Sequence, residues 1–249
     1  MSKPFAERIA LMNAMYRLPA HARPTLPDNL PEVRYLSARC LQVNGLYRHG
    51  YLMAPAMVDV AQGIAPLLGP NTMVMTAMNG VPWWFFQGFG GTLQGATLNT
   101  IDPEGRIAKA IPAHHVVGCV VHASCSMDAP GVVRHHFGQG LILGEPAEQN
   151  GQVSERVQQL VAHLQAAGFN ASASAQIQKD VWYKLWGNMT VNPISAITGA
   201  TTDLILKDDL VRDLMSKVML EAKAIGEKIG IRLELDHLVA YPRDHAAAT

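Results

Sequence analysis

Apolar residues recur with two different periods in the middle of the chain, and each period predicts a different element. In residues 56–68 they lie three or four positions apart, as on one face of a helix, and Gly69 follows where that helix should end. The face consists of Met57, Val60, Ile64 and Leu67. Residues 72–77 form a short, continuous apolar run with β-branched members, which is typical of a buried parallel strand.

Three further apolar segments predict an antiparallel meander, a motif that is often added to the edge of a parallel sheet. They span residues 116–126, 132–137 and 141–144. Residues 154–167 then have helical spacing, and Gly168 lies where the C-cap of that helix is expected. We expect residues 170–175 to form the last strand of the sheet.

The remainder of the chain favours helices. One helix is predicted over 177–198, and a second runs from Asp208 or Asp209, as its N-cap, to Ile229, with Gly230 ending it. The apolar face of the second helix is predicted to consist of Leu214, Val218, Ala222 and Ile225.

The first fifty residues do not follow the same alternation. Residues 4–17 have helical spacing, a proline-punctuated stretch follows, and residues 35–43 predict a strand before the turn Asn44-Gly45. The overall prediction is an α/β protein, with an incomplete Rossmann-like sheet domain at residues 1–175 and a helical domain at residues 176–249.

A Gly-x-Gly-x-x-Gly loop, which holds the pyrophosphate of a dinucleotide at a helix N-terminus, is absent from this N-terminal stretch. Only Gly45 and Gly50 occur there. The segment Gly88-Phe-Gly-Gly91 also fails the pattern, because Leu93 stands in place of the third glycine and no strand leads into it. We interpret that segment as an ordinary loop.

Composition excludes several classes of function. The formal net charge is +0 among 249 residues, which gives no electrostatic reason to expect binding to nucleic acid or an acidic membrane surface. No apolar run reaches the roughly 18 residues that would span a bilayer. The 3 cysteines favour a reduced, cytoplasmic protein. The pairs His114-His115 and His135-His136 should point their rings to opposite faces, so we expect no metal site.

Three polar residues share one stripe of the helix predicted over 177–198. Lys184, Asn188 and Asn192 are four positions apart, so each lies only about 40° around the helix from the previous one. The helix is otherwise apolar around most of its surface, and we expect it to be buried. Buried amides need hydrogen-bond partners or a ligand that supplies them.

Simpler interpretations exist for each residue alone. Asp180 precedes Lys184 by four positions, so an ion pair within the helix would explain the lysine. The asparagines would act as local caps if Pro193 ended the helix. Together, however, the aligned polar residues favour a site for a polar ligand, such as a carboxylate with an adjacent carbonyl.

The segment Trp182-Tyr-Lys-Leu-Trp-Gly-Asn-Met-Thr-Val-Asn-Pro193 resembles the signature helix of the ketopantoate reductase family. In that helix a tryptophan precedes Lys-Leu, and asparagines follow the lysine at four and eight positions. The resemblance covers roughly residues 53 to 235. It includes Met78-Asn-Gly-Val-Pro-Trp-Trp84, Pro130-Gly-Val-Val133, Leu143-Gly-Glu-Pro146 and the helix at 209–231.

The resemblance implies a 2-dehydropantoate 2-reductase, which uses NADPH to reduce the 2-keto acid 2-dehydropantoate to pantoate on the route to pantothenate and coenzyme A. It implies that Lys184 hydrogen-bonds the ketone oxygen and acts as the general acid. Asn188 and Asn192 would bind the hydroxyl and keto-acid end of the substrate, and Asn79 would lie beside NADP(H). It further implies a helical domain like the C-terminal domain of 6-phosphogluconate dehydrogenase. A homodimer is also expected.

Three departures from the family pattern lead us to expect a truncated member. The glycine-rich loop is missing, Leu52-Met53-Ala54 stands where the family has a Val-Lys-Ala turn, and a later helix with a serine and a glutamate should begin after Thr249. The alternative function is therefore a catalytically silent family remnant that acts as a binding or oligomerisation module. A related reductase for another branched 2-keto acid is a third interpretation.

Overall fold

The structure, a computed structural model, describes residues 53–129, 132–146 and 152–231. Its helices are α1 (Met53–Ile64), α2 (Arg106–Ala110), α3 (Glu155–Ala166), α4 (Ile177–Thr198), α5 (Thr202–Lys207) and α6 (Asp209–Ile229). Its strands are β1 (Val74–Ala77), β2 (Val116–Ala129), β3 (Val132–Gly144) and β4 (Asn170–Ala173). The elements that we expected at residues 4–17 and 35–43, and the turn at Asn44-Gly45, lie outside the described residues.

Local signals placed α3, α4 and α6 correctly, whereas the helix predicted over 56–68 is α1, Met53–Ile64, followed by a 3₁₀ turn at Ala65–Leu67. The Ser154 hydroxyl accepts a hydrogen bond from the Val157 amide at the start of α3, and Asp208 caps α6 in the same way. Gly168 and Gly230 follow α3 and α6 with φ of 96° and 95°, a left-handed conformation that a side chain would disfavour. Sequence reasoning did not predict the short helices α2 and α5. None of the described helices is long and apolar enough to cross a membrane.

The described strands form one mixed sheet in the order β1-β2-β3-β4. β1 pairs with β2 in parallel, β2 with β3 in antiparallel, and β3 with β4 in parallel. The predicted antiparallel pairing next to a parallel strand is therefore present, but as a two-stranded hairpin and not as a three-stranded meander. The prediction of two separate strands at 132–137 and 141–144 was wrong. Gly138, with φ of 77°, lies within the register shift between the pairs His122–Gly140 and Ser124–Phe137, so the chain bulges there and continues as a single strand.

Each face of the sheet has its own core, because alternate residues of β2 point to opposite sides. The core on the side of α1 and α4 contains Val116, Val120, Trp84, Ile177 and Trp186. The core on the side of α3 contains Val117, Cys119, Leu143, Val157 and Val161. Gly118 makes room for the first core, since a Cβ at that position would lie 2.6 Å from the Trp84 ring. Helices therefore cover both faces of the sheet.

The predicted core face of α6 was wrong in part. The structure buries Met215, Met219, Ala222 and Gly226, whereas Leu214 and Ile225 of the predicted face are exposed. The helix carries two neighbouring apolar stripes, and periodicity alone does not say which one packs. Gly226 selects the buried stripe, because a Cβ there would lie 2.7 Å from the Trp182 indole nitrogen of α4. The two helices can approach closely only along this stripe.

Two similar truncations on α6 should therefore lower the free energy of unfolding by different amounts. Met219→Ala should lower the free energy of unfolding by about 2–5 kcal/mol, since Met219 is 8% exposed and its removal leaves a cavity. Leu214→Ala should change it by less than about 0.5 kcal/mol, since Leu214 is 52% exposed. Urea unfolding of the two variants measures both values. A larger loss for Leu214→Ala would show that the originally predicted face is the buried one.

Candidate functional site

Helix α4 packs across the sheet and fixes the position of Lys184. The Lys184 side chain is half-buried, and its Nζ donates a hydrogen bond to the backbone carbonyl of Val121 in β2. The apolar neighbours Val181, Trp182 and Trp186 are buried on the same helix, so packing of α4 sets where the ammonium group lies.

The sheet register places Lys184 at the same end of the sheet as Asn79. Ala77, the last residue of β1, pairs with Cys119 of β2. Val121 lies two residues beyond Cys119, and Asn79 lies two residues beyond Ala77. Val121 and Asn79 therefore each lie two residues past the Ala77–Cys119 pair, beyond the carboxyl end of β1. In open α/β sheets, ligands bind outside the carboxyl ends of the strands.

Asn79 lies in an exposed turn directly after β1. Gly80 follows with φ of 81°, which lets the chain reverse at this point. Within the described residues, the Asn79 side-chain amide makes no hydrogen bond. It is free to bind a ligand at the end of the strand.

The polar stripe of α4 begins at the half-buried Lys184 and ends at an exposed residue. Asn188 is half-buried and Asn192 is exposed, and neither amide makes a hydrogen bond to any part of the chain that the structure describes. The expectation that the whole helix would be buried was wrong. Its buried residues all lie between Ile177 and Thr190.

The simpler interpretations of the stripe do not match the geometry. Asp180 accepts a hydrogen bond from the Ser174 hydroxyl, whereas Lys184 bonds the Val121 carbonyl instead of this carboxylate. The asparagines are not caps either, since α4 continues through Pro193 to Thr198. Within the described residues, neither the ion pair nor the local caps are therefore formed.

Burial controls the charges around Lys184. Desolvation lowers the pKa of Lys184 below the usual lysine value, and the nearby Cys119 opposes that shift. Burial raises the pKa of Cys119 to about 12, so this group is a neutral thiol near pH 7. Desolvation also raises the pKa of Asp180, against the hydrogen bond from Ser174. The Lys184 ammonium is thus held mainly by a neutral carbonyl and keeps N–H groups for a ligand.

Sequence reasoning missed Gln178, in the first turn of α4. Its Nε2 donates to the carbonyl of Gln87 at 3.2 Å and to that of Pro146 at 2.6 Å. These partners are far away along the chain, and a glutamine early in a helix is common. No local sequence signal would have identified it.

The described residues contain no group of three or more His, Cys, Asp or Glu side chains that could hold a metal ion. The expected divergence of the His114 and His115 rings was wrong: their centroids are 4.0 Å apart. Both residues lie in a 3₁₀ turn, Ala113–His115, rather than in a strand. His115 instead bonds the Thr72 carbonyl through Nδ1 at 2.7 Å.

Comparisons with known proteins agree with this architecture. Residues 176–249 match the family described as "Ketopantoate reductase PanE/ApbA C terminal". A 2-dehydropantoate 2-reductase from Mesorhizobium japonicum is 45% identical over 184 residues, which are 74% of this chain and 56% of that protein. The crystal structure of a candidate ketopantoate reductase from Ralstonia solanacearum MolK2 is 56% identical, with a TM-score of 0.69 over 73% of this chain and 55% of that one.

A more distant 2-dehydropantoate 2-reductase, from Methylococcus capsulatus, is 28% identical, with a TM-score of 0.50 over 57% of this chain and 48% of that one. The chain spans about half the length of the relatives that it matches. Its mixed sheet and the helices that follow define an α/β protein with a Rossmann-like domain and a helical C-terminal domain. The chain belongs to the ketopantoate reductase family.

Proposed function

We propose that this protein is an NADP-dependent 2-dehydropantoate 2-reductase, which reduces 2-dehydropantoate or a related 2-keto acid to the 2-hydroxy acid. The observation that carries the proposal is the position of Lys184, a partly desolvated ammonium group at the carboxyl end of β1. The 45% identity to a 2-dehydropantoate 2-reductase supports it. In this proposal residues 1–175 form the cofactor domain and residues 176–249 the substrate and dimerisation domain.

Lys184 is the proton donor in the proposed reaction. Negative charge grows on the ketone oxygen as the carbonyl is reduced, and a pre-placed ammonium group stabilises that charge. Because desolvation lowers the pKa of Lys184, its ammonium gives up a proton more readily than an ordinary lysine does. The bond to the Val121 carbonyl keeps the ammonium in place without neutralising its charge.

The asparagines fit the polar ends of the ligands. Asn188 and Asn192 continue the Lys184 stripe along α4 and have amides available to the hydroxyl and keto-acid groups of the substrate. Their different exposure suits a substrate that extends from the sheet towards solvent.

The residues present fit one end of a nicotinamide cofactor, which when bound supplies the hydride. The exposed Asn79 turn has a free amide and an adjacent left-handed glycine, and both suit close approach of the nicotinamide or its ribose. The Gly88–Gly91 loop does not fit the pyrophosphate, because only a single 3₁₀ turn, Gly91–Leu93, follows it. Among the described residues the fit is therefore limited to the nicotinamide end.

The function is tested by titrating the purified chain with NADPH and following cofactor fluorescence or heat. We expect saturable binding in the micromolar range and NADPH oxidation when 2-dehydropantoate is added. Asn79→Ala should weaken NADPH binding. Asn71→Ala, an exposed asparagine before the opposite end of β1, is the matched control and should bind as the wild type does.

Absence of binding at millimolar NADPH would contradict the proposal and favour a binding or oligomerisation module. Binding of NADPH with turnover of a different branched 2-keto acid would keep the reductase class and change only the substrate. Equal loss of binding in the Asn71 and Asn79 variants would remove Asn79 from the cofactor site.

A further inference from the structure

Gln178 joins three parts of the molecule that meet near the proposed site. Its side chain lies in the first turn of α4, and its amide nitrogen reaches two backbone carbonyls. Gln87 belongs to the loop that follows the Asn79 turn, and Pro146 follows β3. The Gln178 side chain therefore connects α4 to the loop after β1 and to the segment after β3.

Both N–H groups of the Gln178 side-chain amide donate hydrogen bonds. A glutamine side chain has two N–H donors on one nitrogen, and each has a carbonyl partner here, at 3.2 and 2.6 Å. All three residues are half-buried or buried, so water replaces these bonds poorly. These two bonds need a side chain at position 178 that presents at least two N–H donors.

Gln178 lies close to Lys184 along α4. The six residues from Gln178 to Lys184 correspond to a rise of about 9 Å, less than two turns. Gln178 and Lys184 thus fix α4 against the sheet at two points, one on the loop after Asn79 and one on β2. A shift at the first point moves the ammonium group at the second.

We propose that Gln178 is a positioning residue, which holds α4 against the loop after Asn79 so that the Lys184 ammonium lies at the carboxyl end of β1. Its effect on turnover rests on the proposed function. Its effect on the surroundings of Lys184 does not, so the two can be tested separately.

The test compares Gln178→Met, which keeps the length of the side chain and removes both donors, with Gln165→Met. Gln165 makes a similar bond, Nε2 to the Ala171 carbonyl at 2.8 Å, but it ties α3 to β4 on the other face of the sheet. The readout is the pH dependence of reductive methylation at Lys184, followed by peptide mass spectrometry. Lys179, exposed on the same helix, is the internal reference.

We expect Gln178→Met to raise the pKa of Lys184 towards the usual lysine value, because the Lys184 amine becomes more exposed to water. Lys179 should not change, and Gln165→Met should leave both lysines unchanged. If the chain turns over, kcat should fall by about tenfold while KM for the keto acid changes by less than about twofold. Gln178→Arg, which restores N–H donors, should recover most of the wild-type behaviour.

An unchanged Lys184 profile in folded Gln178→Met protein would overturn the proposal, whether or not the chain is active. So would equal changes in the Gln165→Met control. A folded Gln178→Arg variant in which the pKa of Lys184 differs from the wild-type value as much as in Gln178→Met would also overturn it. If Gln178→Met does not fold, a folded Gln178→Arg variant that fails to keep the wild-type pKa of Lys184 overturns it. A changed Lys184 profile without any turnover would support the positioning role and contradict only the proposed function.

Discussion

Lys184→Met is expected to lower kcat for keto-acid-dependent NADPH oxidation by a factor of about 10² to 10³, the usual loss when a pre-placed donor to a developing oxyanion is removed. Methionine keeps the unbranched apolar stem and removes the ammonium that bonds the Val121 carbonyl. NADPH binding should be nearly unchanged, because the proposed contact of Lys184 is with the ketone. Steady-state kinetics and a binding titration on the same variant separate these effects.

The matched control is Lys179→Met, which removes an exposed lysine from the same helix and should keep kcat within about twofold. The pH profile of the wild type gives a second check. Because the proton donor is the ammonium form, kcat/KM should fall as pH rises through the pKa of Lys184, which desolvation has lowered below the usual lysine range. An alkaline limb at the ordinary lysine value, or equal losses in both variants, would contradict the role given to Lys184.

Trp186→Ala is expected to lower the free energy of unfolding by about 3–5 kcal/mol, the range for removing a large aromatic side chain from a packed core. Trp186 is 1% exposed and lies between α4 and the sheet. Its indole nitrogen is buried with no hydrogen-bond partner among the described residues, so its contribution comes from packing. Trp186→Phe should therefore cost clearly less. Urea denaturation with linear extrapolation measures both.

Ile197→Ala, on the same helix, is the control for this prediction. Ile197 is 83% exposed, so its truncation should change the stability by less than about 0.5 kcal/mol. A comparable loss for Ile197→Ala would mean that the second part of α4 is covered in solution. A small loss for Trp186→Ala would mean that α4 is not packed on the sheet through this side chain.

Helix α4 combines the two roles that these predictions separate. One side carries Ile177, Val181 and Trp186 into the core, and a neighbouring stripe carries Lys184 and Asn188 to the edge of the site. The rigid packing of the first set gives the second set a fixed position. Stability and activity should therefore respond to different substitutions on one helix.

The sequence determined the parts whose causes are local. The bounds of α4 at 177 and 198, the Ser154 and Asp208 caps and the glycines that follow α3 and α6 are all set by residues within one or two turns. The stripe of Lys184, Asn188 and Asn192 follows from helical spacing alone. The family resemblance, carried by the same local pattern, named these residues; their roles remain predictions.

Tertiary contacts decided the rest. The choice between the two apolar stripes of α6 depends on Gly226 meeting Trp182 of another helix. The union of two predicted strands into β3 depends on Gly138 fitting against His122 across the sheet.

The surroundings of Lys184 depend on Val121 and Cys119, and those of Gln178 on Gln87, all distant along the chain. The spacing of apolar residues indicates which residues share a face of an element, because that depends only on backbone geometry within the element. It does not record which element packs against that face, since chain folding brings the partners together.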